Sequence, residues 1–329
     1  MRRRKFITVI GGAAAAWSIA ARAQPSGMRR VGVLMGRFEA DAEAQKQAAA
    51  FQQGLAELGW MQHKNIEIDY RWAAGDVVLA RTLAKELIGL RPDILVVNST
   101  STLVAAMEQS RSIPIVFVSV TDPVAQGFVQ SLSKPGGNIT GFGAEELSIG
   151  AKWLELLKEV APRVTSFTVL FNPDSAPFAR MYLPFIETAG QSCSCELTAS
   201  PVHNELEIDD ALAVAGKRFD SGIITLPGSF MSSHRARIIA SAAEHHLPAI
   251  YSISDFVRSG GLIAYGIERK DLFRRASEYT DRILHGAKPA DLPVQQPTKF
   301  ELAINLKTAR ALGLTIPPTI LTRADVVIE

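Results

Sequence analysis

Short apolar runs alternate along this chain with longer stretches whose apolar residues fall three and four apart. Val31-Gly32-Val33-Leu34-Met35 reads as a buried strand. Ala48, Phe51, Leu55 and Leu58 then mark one face of a helix that Gly59 ends. Ile66, Ile68 and Tyr70 alternate as a second strand, and Leu79, Leu83 and Leu87 give the next helix. Asp93 to Val97 and Ile115 to Val118 are two further apolar runs, with a helix starting at Leu103 to Met107 between them. Strands that are apolar on both faces, with helices between, predict a parallel sheet covered on both sides.

The rhythm pauses at Lys134-Pro135-Gly136-Gly137-Asn138, a turn-rich stretch, and then restarts. Ile149, Trp153, Leu156 and Val160 form a helix face. Phe167 to Phe171, Cys193 to Leu197, Gly222 to Leu226, Ala249 to Tyr251 and Leu262 to Tyr265 read as strands. Phe273, Tyr279 and Ile283 mark a helix, Lys288 to Pro293 a linker, and Phe300 to Leu312 a last strand-helix pair. The fold class predicted is α/β, with two doubly wound parallel-sheet lobes built from a discontinuous chain. One lobe is expected over 24–140 plus 253–290, the other over 141–252 plus 291–329.

The first residues change the reading of charge. Arg2, Arg3, Arg4 and Lys5 precede an apolar stretch to Ala21, and Ala21-Arg22-Ala23 is a small-x-small cleavage site before Gln24. That is the layout of a cleavable signal peptide over 1–23, so a periplasmic protein is expected. Arg3-Arg4-Lys5-Phe6-Ile7 resembles a twin-arginine export motif, with the general secretory route as the alternative. The formal charge of +2 becomes about −3 once this segment is set aside, which removes the footing for nucleic-acid binding. Cys193 and Cys195, two apart in the expected strand, read as small buried residues rather than a disulfide or a metal pair.

Catalytic signatures are missing from the sequence. It has no G-x-G-x-x-G, no phosphate-binding G-x-x-x-x-G-K-[ST], no G-x-S-x-G and no H-E-x-x-H. We therefore expect no enzyme, no cofactor and no metal. Polar residues do gather where strands end, and open parallel sheets bind ligands there. Ser99 and Thr100 open a helix after the third strand and could hold an anion or merely cap it. Thr121 and Asp122 follow the fourth strand, with Asp122-Pro123 also a standard helix start. Asn172 and Ser229 end strands of the second lobe, and Tyr251 and Tyr265 could stack on a ligand or pack the core.

Four stretches carry a resemblance over nearly the whole chain: Asp122 to Phe142 (DPVAQGFVQSLSKPGGNITGF), Gly260 to Gly266 (GGLIAYG), Arg274 to Leu314 and the ending RADVVIE. They resemble the ABC-transporter substrate-binding proteins of the tryptophan/tyrosine-binding type. The resemblance implies the type I periplasmic binding protein fold with three crossings and no catalysis. It also implies a small ligand, an amino acid with an aromatic or branched side chain, captured by hinge closure for an inner-membrane permease. It points to Ser99, Thr100, Thr121, Asp122, Asn172 and Tyr251 as pocket positions, in a monomer. A sensor feeding a membrane receptor and a doubly wound enzyme are the alternative readings. A repressor would need a DNA-binding segment where the signal stands.

Overall fold

The computed structural model describes residues 27–329; the expected signal and its cleavage site lie outside them. The first apolar runs become β1 (Arg29–Met35), β2 (Ile66–Trp72), β3 (Ile94–Asn98), β4 (Ile115–Val120) and β5 (Ile139–Gly143). They form one parallel sheet in the order β2-β1-β3-β4-β5. Three helices connect them: α1 (Ala42–Glu57), α2 (Val77–Gly89) and α3 (Thr100–Gln109). Asp41 caps α1 by accepting from the Glu43 N–H at 3.0 Å. On α1 the expected face of Ala48, Phe51 and Leu55 is buried, while Leu58 lies beyond the last turn and is exposed. On α2 the buried line is Ala80, Ala84 and Leu87, and Leu79 faces out. At two of these three inward positions the residue is a small alanine.

The second sheet contains β6 (Ser166–Phe171), β7 (Glu196–Pro201), β8 (Ser221–Thr225), β9 (Ala249–Tyr251), β10 (Ile263–Ile267), β11 (Phe300–Asn305) and β12 (Val326–Ile328). Its order is β12-β11-β10-β9-β8-β6-β7. Every pairing is parallel except β10 with β11. The exception follows from connectivity. The chain leaves this sheet at Ile267 and re-enters at Phe300, which pairs with Ile267. A strand that starts where its neighbour stops must run the other way.

Helices cover both faces of each sheet. In the second lobe they are α4 (Ile149–Val160), α5 (Leu183–Ser192), α6 (Glu205–Ala215), α7 (Ser229–Ser233), α8 (Arg235–Glu244) and α9 (Asp255–Arg258). After α10 (Arg269–Leu284), α11 (Leu306–Ala311) and α12 (Pro318–Arg323) complete the set. One core joins α4, α5 and the end of the chain, with Trp153 fully buried against Tyr182 and donating from Nε1 to the Tyr265 carbonyl at 2.7 Å. The opposite face gathers Ile208, Leu212, Ile238 and Tyr251. In the first lobe, Phe51, Leu55, Phe273 and Tyr279 from α1 and α10 form one layer, and Leu87, Leu95 and Leu103 the other.

The lobe boundaries differ from the expectation at residue 253. β10 stays in the second sheet, in register with β9 through Ile263↔Ile250 and Ala264↔Tyr251. The chain returns to the first lobe only after β10, where α10 packs against α1. Pairing decides which lobe a strand belongs to. The first crossing likewise falls after β5, at 144–148. The third falls later than residue 291, because Gln295 still bonds to β5 through the Gly141 and Gly143 backbone, at 2.9 and 2.8 Å.

Cys193 and Cys195 correct another expectation. They lie in the turn before β7, not in a strand, and a disulfide joins them. Their Cα atoms are 5.3 Å apart, whereas residues two apart in a strand are separated by roughly 6.6 Å. Ser194 turns left-handed between them, with φ 53°.

Candidate functional site

The carboxyl ends of the two sheets face each other across the crossings. There they enclose a small, tight cavity with only about 20 Å³ of free space. The lobes touch around it. Ser101 of α3 and Ser229 of α7 share a hydrogen bond of 3.0 Å, and a Cβ on Gly36 would lie 2.9 Å from Ser99 Oγ and 3.0 Å from Ser229 Cβ. The two lobes are therefore closed on each other.

Almost every wall residue stands just past a strand. Arg37 follows β1, Ser99 and Thr100 follow β3, and Ser119 and Thr121 end β4. Glu145 follows β5, Ser175 and Phe178 follow β6, Ser229 and Ser232 follow β8, and Arg269 follows β10. Strand ends splay loops outward, so a crevice forms there without disturbing either core. Two wall residues hold backbone angles that side chains rarely adopt, Ser99 at φ 91° and Ser119 at φ 60°. Such positions cost about 1–3 kcal/mol each and persist where the surroundings enforce them.

Hydroxyls dominate the wall. Ser99 Oγ lies 3.1 Å from Ser101 Oγ, and Thr102 donates to the Asn98 carbonyl at 2.6 Å. Thr100 Oγ1 is buried without a partner. Glu145 is buried, and neither of its carboxylate oxygens accepts a hydrogen bond. Burial pushes its carboxyl up from the ordinary range, which the nearby Arg269 guanidinium only partly offsets.

A four-charge network beside the cavity bridges the lobes. Arg37, 1% exposed, donates from Nε to Asp41 at 2.7 Å and from Nη1 to Asp255 at 2.5 Å. Arg235 reaches the same Asp41 with two bonds of 2.6 and 3.0 Å. Arg37 and Asp41 belong to the first lobe, while Arg235 and Asp255 belong to α8 and α9 of the second. Burial would raise the Asp41 carboxyl, but Arg37 and Arg235 together hold it below the usual value of 3.8. A lowered native value stabilises the fold above the unfolded pKa and loses that contribution as pH falls through the native one. The lobe contact is therefore expected to weaken below about pH 4. Melting temperatures of the native protein and Asp41→Asn, followed from pH 7 downward, should converge on acidification. A constant gap would show that Asp41 does not carry the effect.

Of the eight residues expected from the sequence, Ser99, Thr100, Thr121 and Ser229 line this cavity. The other four lie elsewhere. Asp122 turns away at φ 34° and accepts from the Ala125 N–H at 3.0 Å, as a turn cap. Asn172 spends both ends of its amide locally: Oδ1 accepts from the Ser175 N–H at 2.7 Å, and Nδ2 donates to the Val202 carbonyl at 2.9 Å. It shapes the loop that presents Ser175. Tyr251 is buried in the outer core of the second lobe, stacked on Phe256 with centroids 4.5 Å apart. Tyr265 stacks on Phe300 beside Lys152 and Pro297, outside the cleft. Both rings follow the pleat of the sheet, which points alternate residues to its faces and not along its strands. Phe142 packs in the first-lobe core against Tyr279.

The sequence reading missed Arg37, Glu145 and Arg269. The signal was available, since each is a charge set within two residues of the end of an apolar strand. Among the described residues no His, Cys, Asp and Glu cluster could hold a metal ion, and no helix is long and apolar enough to cross a membrane.

Known proteins resemble this chain in sequence and fold. The "Tyrosine-binding protein" of Clostridioides difficile is 28% identical over 270 residues, 82% of this chain and 77% of that protein. A solved ABC domain in complex with L-Trp from Streptococcus pneumonia is 27% identical, with a TM-score of 0.82 over 92% of this chain and all of that one. A conserved domain protein from Vibrio cholerae is 28% identical, with a TM-score of 0.83 over 91% of this chain and 99% of that one. The two lobes form the type I periplasmic binding protein fold. The family described as ABC transporter substrate binding protein matches residues 34–328, and this chain belongs to it.

Proposed function

We propose that this protein is the periplasmic solute-binding component of an ABC importer. It captures an amino acid between its lobes by hinge closure and hands it to an inner-membrane permease, acting as a monomer without catalysis. The basic, apolar N-terminal segment serves as its export signal.

One observation carries this reading. A closed cavity between two lobes is lined by residues from both, and the carboxylate of its buried Glu145 accepts no hydrogen bond among the described residues. A ligand that touches both lobes binds the closed form better than the open one, and shifts the population by that difference. Relatives that match include a tyrosine-binding protein and a domain solved with L-Trp, which supports an amino acid as the solute. Ser99, Thr100, Thr121 and Ser229 serve as ligand contacts in this proposal, joined by Arg37, Glu145 and Arg269.

A thermal-shift series with the twenty amino acids, sugars and small organic acids tests the proposal. At 100 times its dissociation constant, the true ligand adds about 2.7 kcal/mol of stability. Small-angle scattering should show a more compact particle in its presence. Stabilisation by a sugar or organic acid alone, with every amino acid silent, would remove the amino-acid assignment.

A further inference from the structure

A second pocket opens between the lobes, behind the cleft. Arg37 lines the cleft and Asp255 lines this pocket, so the bond between them stands in the partition. The first lobe supplies Gln47 of α1 to its wall. The second lobe supplies Asp255 and Arg258 of α9 and Glu301 of β11. Residues 267–270, where the chain crosses between the lobes, form a third wall. The pocket holds about 270 Å³ of free space, against about 20 Å³ in the cleft. A single water needs only roughly 10–15 Å³ of such space, so a small organic molecule can be accommodated.

The charges around this pocket balance. Four acidic and four basic side chains line it. The buried ones are paired: Asp255 takes Arg37 at 2.5 Å, and Glu301 Oε1 accepts from Arg258 Nη2 at 2.6 Å. Arg258 also donates to the Ser254 hydroxyl. What remains unanswered is a set of single atoms. Gln47 is 3% exposed, and its Oε1 has no hydrogen-bond partner among the described residues. Glu301 Oε2 and Arg269 Nε are likewise buried without one. The charge of Arg269 is met by Glu145 on the cleft side, so only its Nε–H is left over here. Leaving a buried donor or acceptor unsatisfied is costly, and three of them meet at one pocket.

We infer that this pocket is a second binding site, separate from the cleft, for a small neutral polyhydroxyl compound. The unanswered atoms are two acceptors and one donor, with no net charge left over. A cation or an anion would upset a balanced wall, whereas a hydroxyl group both donates and accepts. Neighbouring hydroxyls on one molecule can donate to Gln47 Oε1 and Glu301 Oε2 and accept from Arg269 Nε. Such a molecule touches both lobes and the crossing, so it binds the closed form better than the open one. The site does not depend on what the cleft itself takes.

The test is calorimetric titration of the full chain with erythritol and D-xylose. Millimolar concentrations keep it below the range in which such osmolytes act by exclusion from the surface. The native protein should bind at least one of them at a single site. Gln47→Leu should weaken that binding about tenfold, the scale of one hydrogen bond to a buried group. Its ligand-free melting temperature should hold or rise, because an apolar residue of similar size replaces an acceptor that was left unpaired. Glu301→Gln, which keeps the shape and trades an acceptor for a donor, should weaken binding as well. Whichever amino acid the cleft takes should bind the native protein and Gln47→Leu alike. Silence of both polyols on the native protein would mean that only water fills the pocket, and would overturn the inference. Equal polyol affinity in native and Gln47→Leu proteins would place the polyol elsewhere and overturn it too, as would loss of polyol and amino acid together. Polyol binding as expected, with every amino acid silent, would leave this site standing and remove the amino-acid assignment of the cleft.

Discussion

Arg37→Met is expected to lower the unfolding free energy by about 3–5 kcal/mol, the scale of removing one partner from a buried ion pair. Arg37 is fully buried and shared between Asp41 of its own lobe and Asp255 of the other. Methionine fills the space of the stem but leaves the Asp255 carboxylate facing the contact without its guanidinium. Arg235 still answers Asp41, so the loss falls mostly on the Arg37–Asp255 half. The same change should favour the open form, because the Arg37–Asp255 bond crosses between the lobes. Urea unfolding measures the first effect, and scattering from the ligand-free protein the second. An unchanged midpoint and an unchanged particle size would show that the four charges merely meet in the closed form and do not hold it.

The second large effect is steric. Gly266→Ala should cost about 3 kcal/mol or more, beyond the ordinary range for an added methyl. A Cβ at Gly266 would lie 1.8 Å from the Ser252 carbonyl oxygen, a backbone atom that cannot swing aside. The strain has to spread β10 from the end of β9, where the two strands approach the second crossing. Arg269 stands three residues further on, so ligand affinity should fall together with stability. Ala264, one pleat earlier on the same strand, already carries a methyl group and is fully buried. A Gly266→Ala protein with native stability would mean that the strands can separate freely there, and the close approach would then set nothing about the hinge.

Much of the molecule could be read from local pattern. The runs Val31 to Met35, Asp93 to Val97, Ile115 to Val118, Phe167 to Phe171 and Gly222 to Leu226 are apolar at nearly every step, and all form central parallel strands. A strand buried on both faces needs that composition wherever it lies, so the signal is carried within five residues. The helix face of Ala48, Phe51 and Leu55 is equally local. So is the polar character of the strand ends, which located half of the residues singled out for the site.

The errors share one cause. β10 reads as a strand from its own residues, but which sheet it joins depends on Ile250 and Tyr251, and on the chain returning at Phe300. Tyr251 and Tyr265 stand near strand ends as expected, yet the face each ring takes follows from the pleat and from what packs above it. β5 and β12 are short, and β5 carries two glycines in five residues, so neither has enough periodic signal of its own. The Cys193–Cys195 bridge depended on the turn at Ser194.

The sequence by itself determined the fold class, the order of most elements and the rule that polar groups gather at strand ends, because periodicity and chain direction are properties of neighbouring residues. Only the tertiary structure decided the site. Arg37 meets Asp255 from 218 positions away, and Arg235 meets Asp41 from 194. Whether a charge such as Glu145 is solvated, paired or left waiting for a ligand is set by what folds over it, and nothing within a few residues of it carries that information.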